Sequence, residues 1–112
     1  MIYKLLPSTE WDDALAAGAF SGTAMDRDSG FIHLSGPDQV VETARRYFAG
    51  AMGLTLLSVD DDQLGEALRW EPSRGGQQFP HLYGPLPVTA VAAARSLPAD
   101  VPVADALAAL LG

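Results

Sequence analysis

The run Leu54-Thr55-Leu56-Leu57-Ser58-Val59 constrains the fold more than any other stretch of this chain. It is almost continuously apolar and has the length of a single strand, so side chains on both of its faces have to be covered. Asp60-Asp61-Asp62 turns the chain directly after it. We therefore expect a strand that is buried on both faces inside a layered domain.

The rest of the chain predicts one α+β domain around that strand. A length of 112 residues, 48% of them hydrophobic and 19% charged, is typical of a single globular domain with a sizeable core. Strands and helices alternate irregularly, which favours a mixed or antiparallel sheet over a doubly wound one. We expect a single domain over residues 1–112, with a core at about 2–97 and a C-terminal docking helix at about 101–111.

Hydrophobic periodicity predicts the remaining elements. We expect the first strand to be central, Leu68 and Trp70 to point inward, and Asp26 to lie in a solvated loop that spans residues 19–29. The predicted strands are 2–6, 31–34, 54–59, 68–71 and 88–97, and the predicted helices are 8–18, 37–50 and 101–111.

Charge and composition exclude several classes of protein. Fourteen acidic residues against seven basic ones give a net charge of -7, which argues against a nucleic-acid partner. No apolar run approaches the ~20 residues that cross a bilayer, so we expect no membrane partner. The N-terminus does not resemble a signal peptide and the chain has no cysteine, both of which predict a cytoplasmic protein. Three adjacent aspartates at 60–62 lack the alternating spacing of a cation-binding loop, so we expect no metal site.

The segment from Trp70 to Leu86 interrupts the core-building pattern and concentrates polar and aromatic side chains. Ser73-Arg74-Gly75-Gly76 combines a hydroxyl, a guanidinium and two approachable backbone amides, as suits an anionic or ribose-bearing ligand. The alternative is a plain turn with an exposed arginine. Glu71 is the carboxylate placed to steady a developing cation, or else it forms a surface pair with Arg74.

Two histidine segments are predicted to face each other. On an extended chain Phe79, His81 and Tyr83 share one face, and so do His33 and Ser35. Such a ring-lined wall suits a flat base or nicotinamide. The alternatives are a buried aromatic cluster with core histidines, and a Ser-His-acid hydrolase, for which no Gly-x-Ser-x-Gly pattern is present.

These motifs resemble one family. The opening Ile2-Tyr3-Lys4 with Trp11, then 30–35, 70–76 and 79–83, are similar to the bacterial family called domain of unknown function 952. The resemblance spans Ile2 to about Val91 and implies an ADP-ribosyltransferase-like fold, a split α+β sheet with two to three packed helices that cradles NAD or ADP-ribose.

The resemblance also implies roles for individual residues. His33 would hold the adenosine-side ribose, Ser35 would support the nicotinamide side, and Tyr83 would stack on nicotinamide. The late glutamate of such folds has no counterpart, since no glutamate follows Glu71. Arg74 and His81 would then meet a pyrophosphate or a phosphate acceptor.

We therefore expect a domain that binds NAD, ADP-ribose or a related nucleotide-like ligand in a cleft. If it is an enzyme, it transfers or hydrolyses at the ribosyl carbon, with NAD as substrate and no required cofactor. The alternative is a non-catalytic binding module with the same pocket, and the oligomeric state is left open. The candidate catalytic residues are Glu71 and His81, and the candidate ligand-binding residues are His33, Ser35, Ser73, Arg74 and Tyr83.

Overall fold

Residues 1–111, which the computed structural model describes, form eight strands and four helices joined by short connections. The strands are β1 (Ile2–Pro7), β2 (Ala19–Phe20), β3 (Ile32–His33), β4 (Leu54–Val59), β5 (Leu68–Pro72), β6 (Gln78–Leu82), β7 (Leu86–Pro87) and β8 (Val91–Ser96). The helices are α1 (Ser8–Ala17), α2 (Ala24–Ser29), α3 (Val40–Tyr47) and α4 (Val103–Leu111).

The central strand of the first sheet is β4, and it pairs antiparallel with β1 on one side and β8 on the other. Its side chains enter two separate hydrophobic clusters, Leu57 and Val59 in one and Leu54 and Leu56 in the other. The prediction of a strand buried on both faces is therefore confirmed.

The prediction that the first strand is central is wrong, because β1 lies at the edge of this sheet. Its outer side is nevertheless occupied: Tyr3 donates a backbone hydrogen bond of 2.8 Å to the Ser35 carbonyl and accepts one of 2.9 Å from the Ser35 amide. Since Ser35 follows β3, this bridge joins the first sheet to a second one.

The second sheet has the order β3-β6-β5, and a two-stranded ribbon of β2 and β7 accompanies it. All strand pairings among the described residues are antiparallel, so the fold is α+β with antiparallel sheets. Ile32 and Leu82 of the second sheet share a core with Leu6 of β1 and Trp11 of α1. Helices α3 and α4 cover the other face of the first sheet, through Val40 of α3 and through buried residues of α4 such as Leu107.

The C-terminal helix contacts the rest of the protein through its first half, and Leu110 and Leu111, which the pattern places on the same face, are exposed. Val103 and Leu107 are buried, and α4 packs against α3. Helix α3 begins three residues later than predicted, at Val40, because Gln39 and Val40 donate backbone hydrogen bonds to the Gly36 carbonyl and form a turn first.

Residues 19–29 differ most from expectation: the short extended piece expected in this loop is β2, but α2 occupies its second half. Thr23 caps α2 by accepting from the Asp26 amide, and the Asp26 carboxylate accepts from the Thr23 amide in return. The expectation of a solvated Asp26 is wrong, since its side chain is only 1% exposed. Residues 1–111 therefore contain four α-helices where two to three packed helices were expected.

Trp70 is a second correction. It is 45% exposed rather than inward, since β5 is the outer strand of the second sheet, whereas Leu68 does pack against the core. The Trp70 ring instead lies near Gly36, where an added Cβ would be 3.4 Å from the ring.

Gly22 supplies a test of how closely α2 is packed. Gly18 and Gly22 both have positive φ, but a Cβ on Gly22 would lie 2.9 Å from the Asp26 Cβ, whereas a Cβ on Gly18 meets nothing within 4 Å. We expect Gly18→Ala to lower the free energy of unfolding by ~1–2 kcal/mol through backbone strain. Gly22→Ala should cost a further ~1–3 kcal/mol through overpacking. Urea unfolding of the two variants measures this, and equal losses would contradict the packing described.

Candidate functional site

The two histidines of the chain sit opposite each other on neighbouring strands. His33 of β3 is the register partner of His81 of β6, and cross-strand partners share one face of an antiparallel sheet. Their ring centroids are 5.9 Å apart in an edge-to-face arrangement. The two segments that the sequence predicted to face each other are therefore adjacent strands of one sheet.

His33 is held by a buried carboxylate. Its Nδ1 lies 2.6 Å from Asp26 Oδ1, and its backbone amide donates to the same oxygen at 3.1 Å. Lys4 Nζ lies 3.1 Å from Oδ1 and 3.0 Å from Oδ2 of Asp26. Lys4, Asp26 and His33 thus form a continuous chain of charged and polar contacts that runs from β1 through α2 to β3.

Burial and ion pairing have opposite effects on the pKa values of Asp26 and Lys4. Burial by itself would raise the pKa of the Asp26 carboxyl, but the His33 side chain, the Lys4 charge and the Thr23 and His33 amides together lower it well below its usual range. Burial lowers the pKa of Lys4, against the attraction of Asp26. Asp26 is therefore an ionised, fully hydrogen-bonded acceptor behind His33.

His81 is held by a second carboxylate. Its Nδ1 lies 2.9 Å from Glu71 Oε1, and the Tyr83 hydroxyl donates to that same oxygen at 2.6 Å. The Tyr83 and His81 hydrogen bonds lower the pKa of Glu71, and the bond to Glu71 raises the pKa of Tyr83. Glu71 therefore stays charged, and Tyr83 stays protonated as its donor.

Both imidazoles leave the same nitrogen free. Nδ1 of each ring is taken up by a carboxylate, and no residue between 1 and 111 makes a hydrogen bond to either Nε2. A carboxylate at Nδ1 favours the proton on that nitrogen, so Nε2 is an acceptor in the neutral ring and a donor in the charged ring. Either nitrogen has the chemistry to bind a hydroxyl or phosphate oxygen or to exchange a proton with it; the His33 side chain is 30% exposed and that of His81 6%.

Phe31 ties the rings into one cluster. It stacks on His81 with a centroid distance of 4.1 Å and an angle of 20°, and it lies 4.6 Å from the His33 ring and 5.3 Å from the Tyr83 ring. His33 and Tyr83 are consequently on the same side of the sheet. Arg69 lies over the outer side of Tyr83 at 4.9 Å.

Ser35 and Arg74 belong to a neighbouring group around Thr43. The hydroxyls of Ser35 and Thr43 are 3.2 Å apart, and Arg74 Nη2 lies 3.4 Å from Thr43 Oγ1. The Arg74 guanidinium also lies 5.0 Å from the Phe79 ring centroid and 5.7 Å from that of Tyr47. Among the described residues Arg74 has no carboxylate partner within salt-bridge distance.

Ser73 is the least connected of the predicted site residues. Its backbone forms the turn, with its amide donating to Gln77 and its carbonyl accepting from Gly76, while its hydroxyl makes no hydrogen bond to residues 1–111. The structure thus groups His33, Glu71, His81 and Tyr83 directly, and sets Ser35 and Arg74 beside them.

Two clefts of about 330 Å³ each share residues with the groups described above. One is lined by Arg74, Arg46 and residues of the Asp38–Glu42 segment, and the other by Phe31, Asp26 and residues near Gly84. Neither cleft is lined by the imidazoles themselves. Arg74 lines the first cleft and also lies over Phe79, and Phe31 lines the second cleft and also stacks on His81.

The sequence predictions missed Lys4 and Asp26 as parts of this site. Two signals for them were present. Thr23-Ala24-Met25-Asp26 has the spacing of a helix capping box, and Lys4 shares the strand face of Ile2 and Leu6, where a charge needs a partner. No group of three or more metal-ligating side chains occurs in the part of the chain that the structure describes.

Comparison with known proteins identifies the family. Residues 5–94 match the family model described as protein of unknown function (DUF952), so the chain belongs to this family. No curated protein matches the chain. No helix within residues 1–111 is long and apolar enough to cross a bilayer.

Solved structures of one bacterial protein share the fold. The X-ray structure of CC0527 from Caulobacter crescentus is 50% identical, with a TM-score of 0.87, and the match covers 96% of this chain and 97% of that one. A double mutant of the same protein gives the same values. Its solution NMR structure gives a TM-score of 0.79 at 50% identity, with 90% and 89% coverage.

The Lys4–Asp26 pair supplies a stability prediction. At pH 7 we expect Lys4→Met to lower the free energy of unfolding by ~3–5 kcal/mol, because it leaves a buried carboxylate without its cation. Because the pKa of Asp26 is depressed in the folded state, its ionised form stabilises the wild type at any pH above the carboxyl's ordinary pKa of 3.8. This stabilisation is lost as the pH falls from 3.8 toward the lower pKa of the folded state. The difference in free energy of unfolding between wild type and Lys4→Met should therefore narrow in acid.

Denaturant unfolding between pH 7 and pH 3 measures this effect. The control is Arg46→Met, which removes the exposed pair of Arg46 with Glu42 and should leave the midpoint nearly unchanged. A difference in free energy of unfolding between wild type and Lys4→Met that does not change with pH would contradict the assignment of Asp26 as an ionised partner of Lys4.

Proposed function

We propose that this DUF952 protein binds NAD, ADP-ribose or a related ribose-phosphate ligand against the face that carries His33, His81 and Tyr83. The observation that carries the proposal is the pair of free Nε2 atoms, each on a ring fixed from behind by a carboxylate. Fixed imidazoles lose little conformational freedom when they bind hydroxyl groups, and a ribose offers two such groups side by side.

Aromatic and cationic side chains extend this surface. The exposed ring of Tyr83 offers a face for a base or a nicotinamide, and Phe31 lies beside it. Arg74 is a bidentate donor without a carboxylate partner among the described residues, and it suits a phosphate. Ser35 and Thr43 hydroxyls lie next to Arg74 and complete a polar group at that end.

The reaction that this ligand would undergo is transfer or hydrolysis at the ribosyl carbon. The bond from the ribosyl carbon to nicotinamide breaks with its electron pair going to nicotinamide, and an oxocarbenium-like centre develops. The ionised Glu71 lies on the same face and favours that positive charge. An acceptor hydroxyl or water then bonds to the ribosyl carbon and gives its proton to His81 Nε2. NAD is the substrate in this scheme, and the reaction requires no cofactor.

The second candidate is a cytoplasmic binding module without turnover. It is favoured by the state of Glu71, whose Oε1 is shared by His81 and Tyr83, so that one carboxylate oxygen is already committed inside the protein. In that case the same residues recognise the ligand and release it unchanged.

Calorimetric titration with NAD and with ADP-ribose tests the proposal. We expect binding in the micromolar to millimolar range and a loss of about 10-fold or more in His33→Ala, the size of one hydrogen bond to a charged or strongly polar group. Arg95→Ala on β8 is the matched control and should bind as the wild type does. No heat with either ligand at millimolar concentration would contradict the proposal.

Chromatographic detection of free nicotinamide separates the two candidates. If the wild type releases nicotinamide from NAD and Glu71→Gln does not, the protein is an enzyme. If the wild type binds NAD without releasing nicotinamide, it is a binding module. Glu71→Gln keeps the size of the side chain and its capacity to accept a hydrogen bond from Tyr83. A loss of nicotinamide release in this variant would therefore show that the negative charge of Glu71 is required.

A further inference from the structure

We infer that His33 and His81 form one acid–base pair, and that the reaction which uses both is the hydrolysis of a cyclic phosphodiester on a ribose. This inference rests on the proposed binding of a ribose-phosphate ligand and names a substrate class for the same face. Its basis is that two imidazoles, each with Nδ1 hydrogen-bonded to a carboxylate, are register partners on adjacent strands.

Glycosyl transfer from NAD uses only one of these histidines in proton transfer. Nicotinamide departs as a neutral molecule and needs no proton, so only the acceptor requires a base. A phosphate ester is different, because its leaving alkoxide has to be protonated while the attacking water has to lose a proton. Two imidazoles on one face, one acting as base and one as acid, match that requirement.

The charged groups around the pair are two carboxylates and two cations, and the net charge of the chain limits the size of an anionic substrate. Lys4 and Asp26 face His33 from β1 and α2, while Glu71, Arg69 and Tyr83 face His81 and its neighbourhood from β5 and the end of β6. With a net charge of -7 the chain opposes long polyanions, whereas a single phosphodiester carries one negative charge.

Arg74 is placed to receive that charge. It lies over Phe79, which precedes His81 by two residues on the same face of β6, a separation of ~7 Å along the strand. A guanidinium at one end and two imidazole nitrogens at the other frame a site the size of one ribose phosphate.

The step balances without any further reagent. One Nε2 takes a proton from water as the water oxygen bonds to phosphorus. The bond from phosphorus to the ribose O2′ breaks, and the electron pair stays on O2′. The other histidine starts as a protonated imidazolium and gives its Nε2 proton to O2′, which leaves a ribose 3′-monophosphate. A following exchange of protons with solvent restores both rings.

The test uses adenosine 2′,3′-cyclic monophosphate and the purified full chain. We expect conversion to adenosine 3′-monophosphate with a bell-shaped dependence of kcat/KM on pH. His33→Gln and His81→Gln should each lower the rate by ~100-fold or more and each remove one limb of the bell. Glu66→Gln, an exposed carboxylate outside the site, is the control for preparation and should match the wild type.

The outcomes separate this inference from the proposed function. Wild type that binds ADP-ribose but does not hydrolyse the cyclic phosphate overturns the acid–base inference alone. Hydrolysis that survives unchanged in either glutamine variant, or in the double variant, also overturns it. If the wild type hydrolyses the cyclic phosphate, the two glutamine variants lose rate as expected, and NAD and ADP-ribose do not bind, the acid–base pair is supported and the proposed NAD or ADP-ribose ligand is overturned. Thermal unfolding of each variant establishes that it is folded before its rate is compared.

Discussion

The ionised carboxylate of Asp26 is the constraint on which the arrangement of this protein depends. It is buried, so its charge is tolerated only because Lys4, His33 and the Thr23 amide all donate to it. Those donors come from β1, β3 and the start of α2. One side chain thereby fixes the first sheet, the second sheet and the intervening helix relative to each other, and the same contact orients His33.

The two histidines are supported in different ways. His33 rests on a carboxylate inside the protein, 1% exposed, whereas His81 is itself buried and rests on Glu71, whose side chain is 34% exposed. Tyr83 then covers part of Glu71 from the outer side. A ligand that approaches this face meets one imidazole backed by the protein interior and one backed by a carboxylate that solvent also reaches.

Much of the fold could be predicted from periodicity, because periodicity reports burial. The apolar run at Leu54–Val59 and the pattern of α4 depend only on which faces are covered, and both were predicted correctly. Asp26 and Trp70 were not, because their environments depend on distant partners. The burial of Asp26 depends on Lys4 twenty-two residues away, and the exposure of Trp70 follows from the position of β5 at a sheet edge. The common face of His81 and Tyr83 could be predicted because strand alternation fixes it, whereas the contact of Glu71 with both depends on the register of β5 against β6, and the contact of Ser35 with Thr43 depends on how α3 packs.

The position of β4 has a consequence for how the chain acquires its structure. Both of its neighbours are distant in sequence, since three helices and two strands separate β1 from β4, and β5, β6 and β7 separate β4 from β8. Neither edge of β4 can therefore be closed by a local hairpin, and pairing has to wait for the closure of two long loops. During synthesis the most apolar strand of the protein emerges before its second neighbour exists. The interval until residues 91–96 arrive is the stage at which this chain is most exposed to pairing with another copy of itself.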